Sequence, residues 1–208
     1  MCVCARARVC GALAARTVST EPLHTRCRFA AHTRYRLDVF GFLALHALAD
    51  EQTDGSTGNY GLQDQRLALA WVQRNAKALG GDPNTVTLAG QSAGGVSVCA
   101  HLASRASRGL FHRALAMSPL CEGALLMPPL PQATGFGKAF ANHIGCEGED
   151  GATLVACMRR KTTAELTPLL VIPKDELDSD RPLPRLLPFL PWGYVDGEYP
   201  TPCCASNI

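Results

Sequence analysis

The sequence predicts an α/β fold in which a mostly parallel sheet is flanked by helices. Short apolar runs at residues 86–89 and 111–118 have the length and composition of buried strands. Segments with a helical apolar pattern lie on either side of the first run, at residues 62–79 and 96–103. This alternation is typical of βαβ units joined by right-handed crossovers.

The chain before residue 80 supplies the first elements of this order. Residues 35–43 predict a strand that leads into an apolar turn, and the polar, glycine-rich residues 50–61 predict a surface loop. Gly80 and Gly81 end the helix predicted at residues 62–79. That helix has one apolar face, formed by Leu62, Leu69, Val72 and Ala76 and widened by Leu67 and Trp71.

The strand predicted at residues 86–89 runs directly into a Gly-x-Ser-x-Gly pattern. This pattern is made of Gly90, Gln91, Ser92, Ala93 and Gly94. Strand, sharp turn and helix is the context of a nucleophile elbow, in which the glycines avoid Cβ collisions and the serine hydroxyl projects. Ser92 is therefore the predicted nucleophile. The amide of Ala93, at the positive end of the following helix, is a predicted oxyanion donor. A flexible loop explains the glycines alone but not the flanking strand and helix.

The chain after residue 118 is less regular because prolines interrupt it. Pro128, Pro129 and Pro131 predict a break, followed by short helices at residues 137–144 and 153–160. The proline-rich segment 168–202 predicts an extended surface path rather than a helix or a central strand.

Residues 1–33 form an arginine-rich leader in which the sequence shows no helical or strand period. Glu21 is the only acidic residue before Asp38. We predict a disordered leader or a misassigned first exon, with a transit peptide as an alternative. A second alternative is a weak signal sequence, because residues 9–15 are short and apolar.

The formal net charge of +2 gives no reason to expect a nucleic acid or an anionic membrane as partner. No apolar run reaches the length of a membrane span. The chain has ten cysteines, but their spacing lacks the paired pattern of a zinc site, so we predict neither a metal nor a cofactor. Cys99 on the apolar helix is interpreted as a small buried hydrophobic residue.

Several long motifs in order resemble the type-B carboxylesterases, the family that includes the cholinesterases. They lie at residues 35–37, 41–43, 58–73, 80–95 and 107–114. The resemblance implies a partial α/β-hydrolase fold over residues 34–208, incomplete at both ends. It also implies cleavage of a small carboxylic ester through an acyl-enzyme, with Ser92 as nucleophile and Ala93 in the oxyanion hole. Gln91 stands where many relatives have Glu.

Two further features depend on this resemblance. Cys146 and Cys157 look like a disulfide that recurs in the family, with two free thiols as the alternative. A disulfide implies secretion or a secretory-pathway lumen, although no clear signal peptide accompanies it. Asp38 replaces the small residue usual after Tyr-Arg-Leu, and a charge placed there needs solvent or a partner.

The rest of a catalytic triad is not found in the sequence. In α/β-hydrolases the acid and the histidine follow the serine, and we expect this sequence to end before them. The candidates His101, His112 and His143 do not fit the base by spacing, and Asp64 and Asp82 fit a helix surface and a turn.

We therefore predict a carboxylic ester hydrolase of which this chain is a truncated, inactive or weakly active fragment. The alternative is a non-catalytic cholinesterase-like module for interaction or adhesion. The retained Ser92 favours the hydrolase, and neither the ester nor the oligomeric state can be predicted.

Overall fold

A computed structural model of the 208-residue chain describes the backbone of residues 2–5 and all of residues 29–121, 128–148 and 151–167. The described residues fall into two compact units. The first contains residues 2–5, 29–35 and 62–121, and the second contains residues 36–61, 128–148 and 151–167. The segment 168–202, predicted to be extended, lies outside the described residues.

The first unit is built on a sheet of four strands in the order β2-β1-β3-β4. These are β1 (Cys2–Ala5), β2 (Phe29–His32), β3 (Val86–Gln91) and β4 (Arg113–Met117). β3 and β4 are parallel, in a register that pairs Leu88 with Ala114 and Gln91 with Met117. β1 is antiparallel to both β2 and β3, so this sheet has one parallel pair where the sequence predicts a mostly parallel sheet.

Strands β1 and β2 lie inside the leader for which the sequence predicts disorder. At residues 2–5 and 29–32 the structure differs from that prediction, because β3 is buried and has two hydrogen-bonding edges to satisfy. β4 pairs with one edge, and β1 pairs with the other from Cys2 opposite Ala89 to Ala5 opposite Val86. This pairing joins parts of the chain that are far apart in sequence. The residues of the leader show no strand period from which it could be predicted.

The strand predicted at residues 35–43 is wrong, because the chain there forms helix α1 (Asp38–Phe42). Asp38 has φ 54°, which turns the chain, and the Gly41 amide donates to the Leu37 carbonyl at 3.0 Å. A Cβ at Gly41 would collide with the carbonyl of Arg36. Asp38 is half-buried, and burial raises its pKa, with a hydrogen bond to the Val39 backbone acting against that rise.

The long helix of the first unit is α3 (Tyr60–Asn75), followed by a turn that ends where Gly81 N donates to Ala76 O at 2.7 Å. Its predicted apolar face is buried, and it packs in a cluster that contains Leu69, Val72, Ala76, Val86, Leu88 and Val98. Leu67 and Trp71 do not widen this face. Their exposed fractions are 65% and 46%, because the apolar stripe of α3 is narrower than predicted.

The remaining helix of the first unit is α4 (Ala93–Ala103), which follows β3 after a single residue. It is buried along eight consecutive positions, from Gly94 to His101. A short 3-10 turn at Arg105–Ser107 connects it towards β4.

The second unit is helical. Besides α1 it contains α2 (His46–Ala49), α5 (Leu130–His143), α6 (Gly151–Arg160) and α7 (Thr163–Leu166). α5 starts seven residues before the predicted helix because Pro131 occupies its first turn, where the missing N–H costs nothing. The core of the second unit is a cluster of seven buried residues: Leu45, Phe140, Ala141, Cys146, Leu154, Val155 and Met158. Within the described ranges, no helix is long and apolar enough to cross a membrane.

Candidate active site

Ser92 is the single residue between the end of β3 and the start of α4. Its backbone has φ 53° and ψ −118°, a conformation that glycine adopts readily and L-residues adopt rarely. Its amide donates to Met117 O at 3.0 Å, and its carbonyl accepts from Val96 N at 3.0 Å in the first turn of α4. The side chain is exposed. The bend therefore holds a hydroxyl in solvent beyond the carboxyl end of β3.

The bend can form only because Gly90 has no side chain. An ideal Cβ at Gly90 would collide with the carbonyl of Gly94 and lie 2.9 Å from its Cα. Gly94 is itself buried in the first turn of α4, and Gln91 at the end of β3 is exposed. The glycines of the motif thus allow one turn of helix to close directly over the strand end.

Ala93 is the first residue of α4. The N–H groups of a first helical turn have no partner within the helix, and the helix dipole places positive charge there. An oxygen bearing negative charge beside Ser92 would meet these groups. Backbone N–H groups placed in this way are one form of oxyanion hole.

A buried chain of polar side chains lies beneath the first turn of α4. Gln65 Nε2 donates to Ser97 Oγ at 3.1 Å, and Ser97 Oγ donates to Ala93 O at 3.1 Å. Gln65 Oε1 lies 3.0 Å from His101 Nε2, and His101 Nδ1 lies 2.9 Å from Ser107 Oγ. Gln65, Ser97, His101 and Ser107 are all buried. We call these four residues the Gln65–Ser107 network.

Gln65 was not singled out from the sequence, although a signal existed. It lies three residues after Leu62 and four before Leu69, so its side chain is on the apolar face of α3. A glutamine at such a position must find a partner in the core. The histidine on the apolar helix α4 carries the same signal.

His101 is not the base for Ser92. Both of its ring nitrogens contact members of the network, and the side chain is 1% exposed. Burial, and to a smaller extent the charge of Arg66, lowers the pKa of His101 to about 4. The ring is therefore neutral near pH 7, and its two nitrogens are used in hydrogen bonds to Gln65 and Ser107.

His112 lies at the wrong end of the sheet. Its amide donates to Val86 O at 2.8 Å, next to the first residue of β3, whereas Ser92 follows the last. At the rise of a β-strand this separates the two residues by about 20 Å.

His143 is an exposed terminal residue of α5 in the second unit. Asp82 accepts from Asn84 N at 2.9 Å in a 3-10 turn, and Asp64 lies on α3.

Two disulfides are present among the described residues. Cys146 and Cys157 join the segment after α5 to α6, with their Cα atoms 5.7 Å apart. Cys99 is bonded to Cys121, with a Cα separation of 5.8 Å. Cys99 is buried, as predicted, and its bond to Cys121 is a feature that the sequence did not predict. α4 packs on β4, which brings Cys99 to the segment that follows that strand.

Comparison with known proteins finds similarity over most of the chain. The model of the carboxylesterase family matches residues 30–198. The chain is 44% identical over 135 residues to an acylcarnitine hydrolase of Rattus norvegicus, covering 64% of this chain and 22% of that protein. It is 39% identical over 135 residues to carboxylesterase 5A of Felis catus, covering 64% and 24%.

A third relative is the crystal protein of Dictyostelium discoideum, 40% identical over 152 residues that cover 70% of this chain and 25% of that protein. The chain thus spans about a quarter of the length of these curated relatives.

Proposed function

The chain belongs to the carboxylesterase family, and on that premise we propose that it carries the nucleophile of a carboxylic ester hydrolase. The observation that supports this most is the backbone of Ser92, held at φ 53° with its side chain exposed at the start of a helix. A serine in this conformation costs about 1–3 kcal/mol, and such strain is concentrated at functional sites. The substrate class is a small-molecule carboxylic ester.

In the proposed reaction a base takes the proton of Ser92 Oγ as a bond forms between Oγ and the ester carbonyl carbon. The carbonyl oxygen becomes an oxyanion that accepts from Ala93 N–H. The bond to the alcohol oxygen then breaks, and the alcohol leaves with the proton. Water attacks the acyl-serine in the same way, which releases the carboxylic acid and returns a proton to Ser92.

We place the general base and its orienting carboxylate outside the described residues. The arrangement of His101 and His112 supports this, since one is engaged in the network and the other lies at the opposite end of β3. The disulfides Cys99–Cys121 and Cys146–Cys157 also support maturation in an oxidising compartment.

A covalent label tests the nucleophile without requiring turnover. The 208-residue chain is incubated with a fluorophosphonate, and labelled serines are mapped by mass spectrometry. We expect Ser92 to label faster than other exposed serines but at least about 10³-fold more slowly than the serine of an ordinary esterase, because the oxyanion donor is present and the base is not. Ser118 is the internal control, because it is also an exposed serine of positive φ at the end of a strand, but no helix starts there.

Steady-state hydrolysis of a short-chain aryl ester completes the test. We expect turnover at least about 10³-fold below that of an ordinary serine esterase, because the base is missing from the described site. Labelling of Ser92 that is no faster than labelling of Ser118 would contradict the hydrolase proposal and favour the non-catalytic interaction module. Full turnover that is lost in Ser92→Ala would contradict only the placement of the base.

A further inference from the structure

The hydrogen bonds of the Gln65–Ser107 network have one consistent direction. The Gln65 amide group donates through Nε2 to Ser97 Oγ and accepts at Oε1 from His101 Nε2–H. His101 Nδ1 in this tautomer accepts from the Ser107 hydroxyl. Since Ser97 Oγ already accepts from Gln65, its own proton is free to point at Ala93 O, at 3.1 Å. This assigns a donor and an acceptor to each of the four hydrogen bonds.

The network ends on the residue that supplies the oxyanion donor. Ala93 has two peptide groups, and the Ser97 hydroxyl binds the carbonyl of the second. The N–H of the first belongs to the first turn of α4, where N–H groups point out of the helix end that follows Ser92. Fixing the second peptide plane restricts the backbone rotation of Ala93. The direction of its N–H is thereby restricted as well.

Stability alone does not explain four buried polar side chains at this contact between α3 and α4. Apolar side chains of the same shape could fill the space at little or no loss of stability, because the net gain from an internal hydrogen bond is small. A polar network that is satisfied does, however, hold one arrangement of the backbone.

We propose that Gln65 and Ser97 are positioning residues that orient the Ala93 amide for ester hydrolysis, with His101 holding the Gln65 side chain. This inference rests on the proposed function. Neither residue touches the substrate. Ser97 acts through the Ala93 carbonyl, and Gln65 acts by donating to one lone pair of Ser97 Oγ, which favours the rotamer that points the hydroxyl proton at that carbonyl.

The direct test is the carbonyl ¹³C shift of Ala93, together with the amide shifts of Ala93 and Gly94, in the isotopically labelled 208-residue chain. In Ser97→Ala the Ala93 carbonyl loses its side-chain donor, so we expect its ¹³C signal to move upfield. Ser97→Thr keeps a hydroxyl that can bind the carbonyl four residues earlier, and we expect it to retain the parental shift.

Gln65→Met removes both polar contacts at nearly constant volume. We expect the same carbonyl to move in the same direction by a smaller amount, because Ser97 keeps its proton but can turn it elsewhere. Combining Gln65→Met with Ser97→Ala should add nothing at Ala93. Ser104→Ala is the matched control, because Ser104 is a buried serine at the other end of α4 whose hydroxyl binds no group among the described residues.

The rate of fluorophosphonate labelling connects this geometry to the proposed chemistry. If the parent chain labels at Ser92, we expect Ser97→Ala to label about 3- to 10-fold more slowly, the effect of one hydrogen bond, and Ser104→Ala to label at the parental rate. If the parent chain does not label at Ser92, the proposed function fails in this chain. The carbonyl shifts still decide the positioning role.

Two results would overturn the inference. One is an unchanged Ala93 carbonyl in both Ser97→Ala and Gln65→Met. The other is a set of shift changes spread evenly along α4 together with a lower melting temperature, which would mean that the network only stabilises the packing of the helices.

Discussion

Burial of a neutral histidine makes the first unit sensitive to mild acid. His101 has a pKa of about 4 in the folded chain, against an ordinary value of 6.5 that it regains on unfolding. The unfolded chain therefore binds the extra proton first as the pH falls. The contribution of neutral His101 to the free energy of unfolding is fully present above about pH 6.5. It is lost progressively as the pH falls from there to about 4.

The size of the loss follows from these two pKa values. Between pH 7.5 and pH 5 the unfolded histidine becomes almost fully protonated while the folded one stays neutral. The linkage relation then gives a loss of about 2 kcal/mol in the free energy of unfolding. Carboxylates add little over this range, because their ordinary pKa values lie below 5.

Urea unfolding at a series of pH values measures this loss. Trp71 lies in the first unit, and the substitution Trp192→Phe leaves it as the sole tryptophan reporter. The comparison is with His101→Gln, which cannot titrate but keeps an amide that can contact Gln65. We expect the parent chain to lose about 2 kcal/mol more than this variant between pH 7.5 and pH 5.

Parallel losses in the two chains would refute the reasoning, whatever their absolute stabilities. A direct titration of the His101 ring by NMR provides an independent check. A midpoint near 6.5 in the folded chain would mean that the ring is not buried as described.

Two further predictions concern the elbow and its crosslink. Gly90→Ala should destabilise the first unit by more than about 3 kcal/mol, because the new methyl group collides with the Gly94 carbonyl, whereas Gly135→Ala, in open space on α5 of the second unit, should leave the unfolding transition reported by Trp71 unchanged. Comparable effects of the two substitutions would contradict the close approach at Gly90. Replacing Cys99 and Cys121 together by Ala should lower the unfolding free energy by about 3 kcal/mol under oxidising conditions, and have no such effect when the parent chain is reduced. Equal stability of the oxidised and reduced parent would contradict the presence of this disulfide.

The elbow could be predicted because its determinants are local. The strand before Ser92 and the helix after it are continuous apolar runs, and Gly90 and Gly94 stand where a tight bend needs them. The helix α3 was predictable for the same reason, since its buried positions repeat at the helical period. In each case a short window of sequence contains the whole signal.

The errors arose where a local backbone conformation has no periodic signal in the sequence, and where distant parts of the chain decide the structure. Residues 35–43 have a strand-like composition, but the positive φ of Asp38 and the contact of Gly41 with Arg36 turn them into α1. The pairing of β1 with β3 joins residues more than 80 positions apart. The Gln65–Ser107 network connects two helices and a turn, so each polar residue alone gave only the hint that it needs a partner.

The backbone of Ser92 also separates selection for folding from selection for chemistry. Its angles, φ 53° and ψ −118°, match the first central position of a type II′ turn, which glycine fills without cost. Ser92→Gly is accordingly the substitution that thermodynamics alone would favour here. The hydroxyl at this position thus comes at a cost to folding, which is what the proposed role of Ser92 as nucleophile would require.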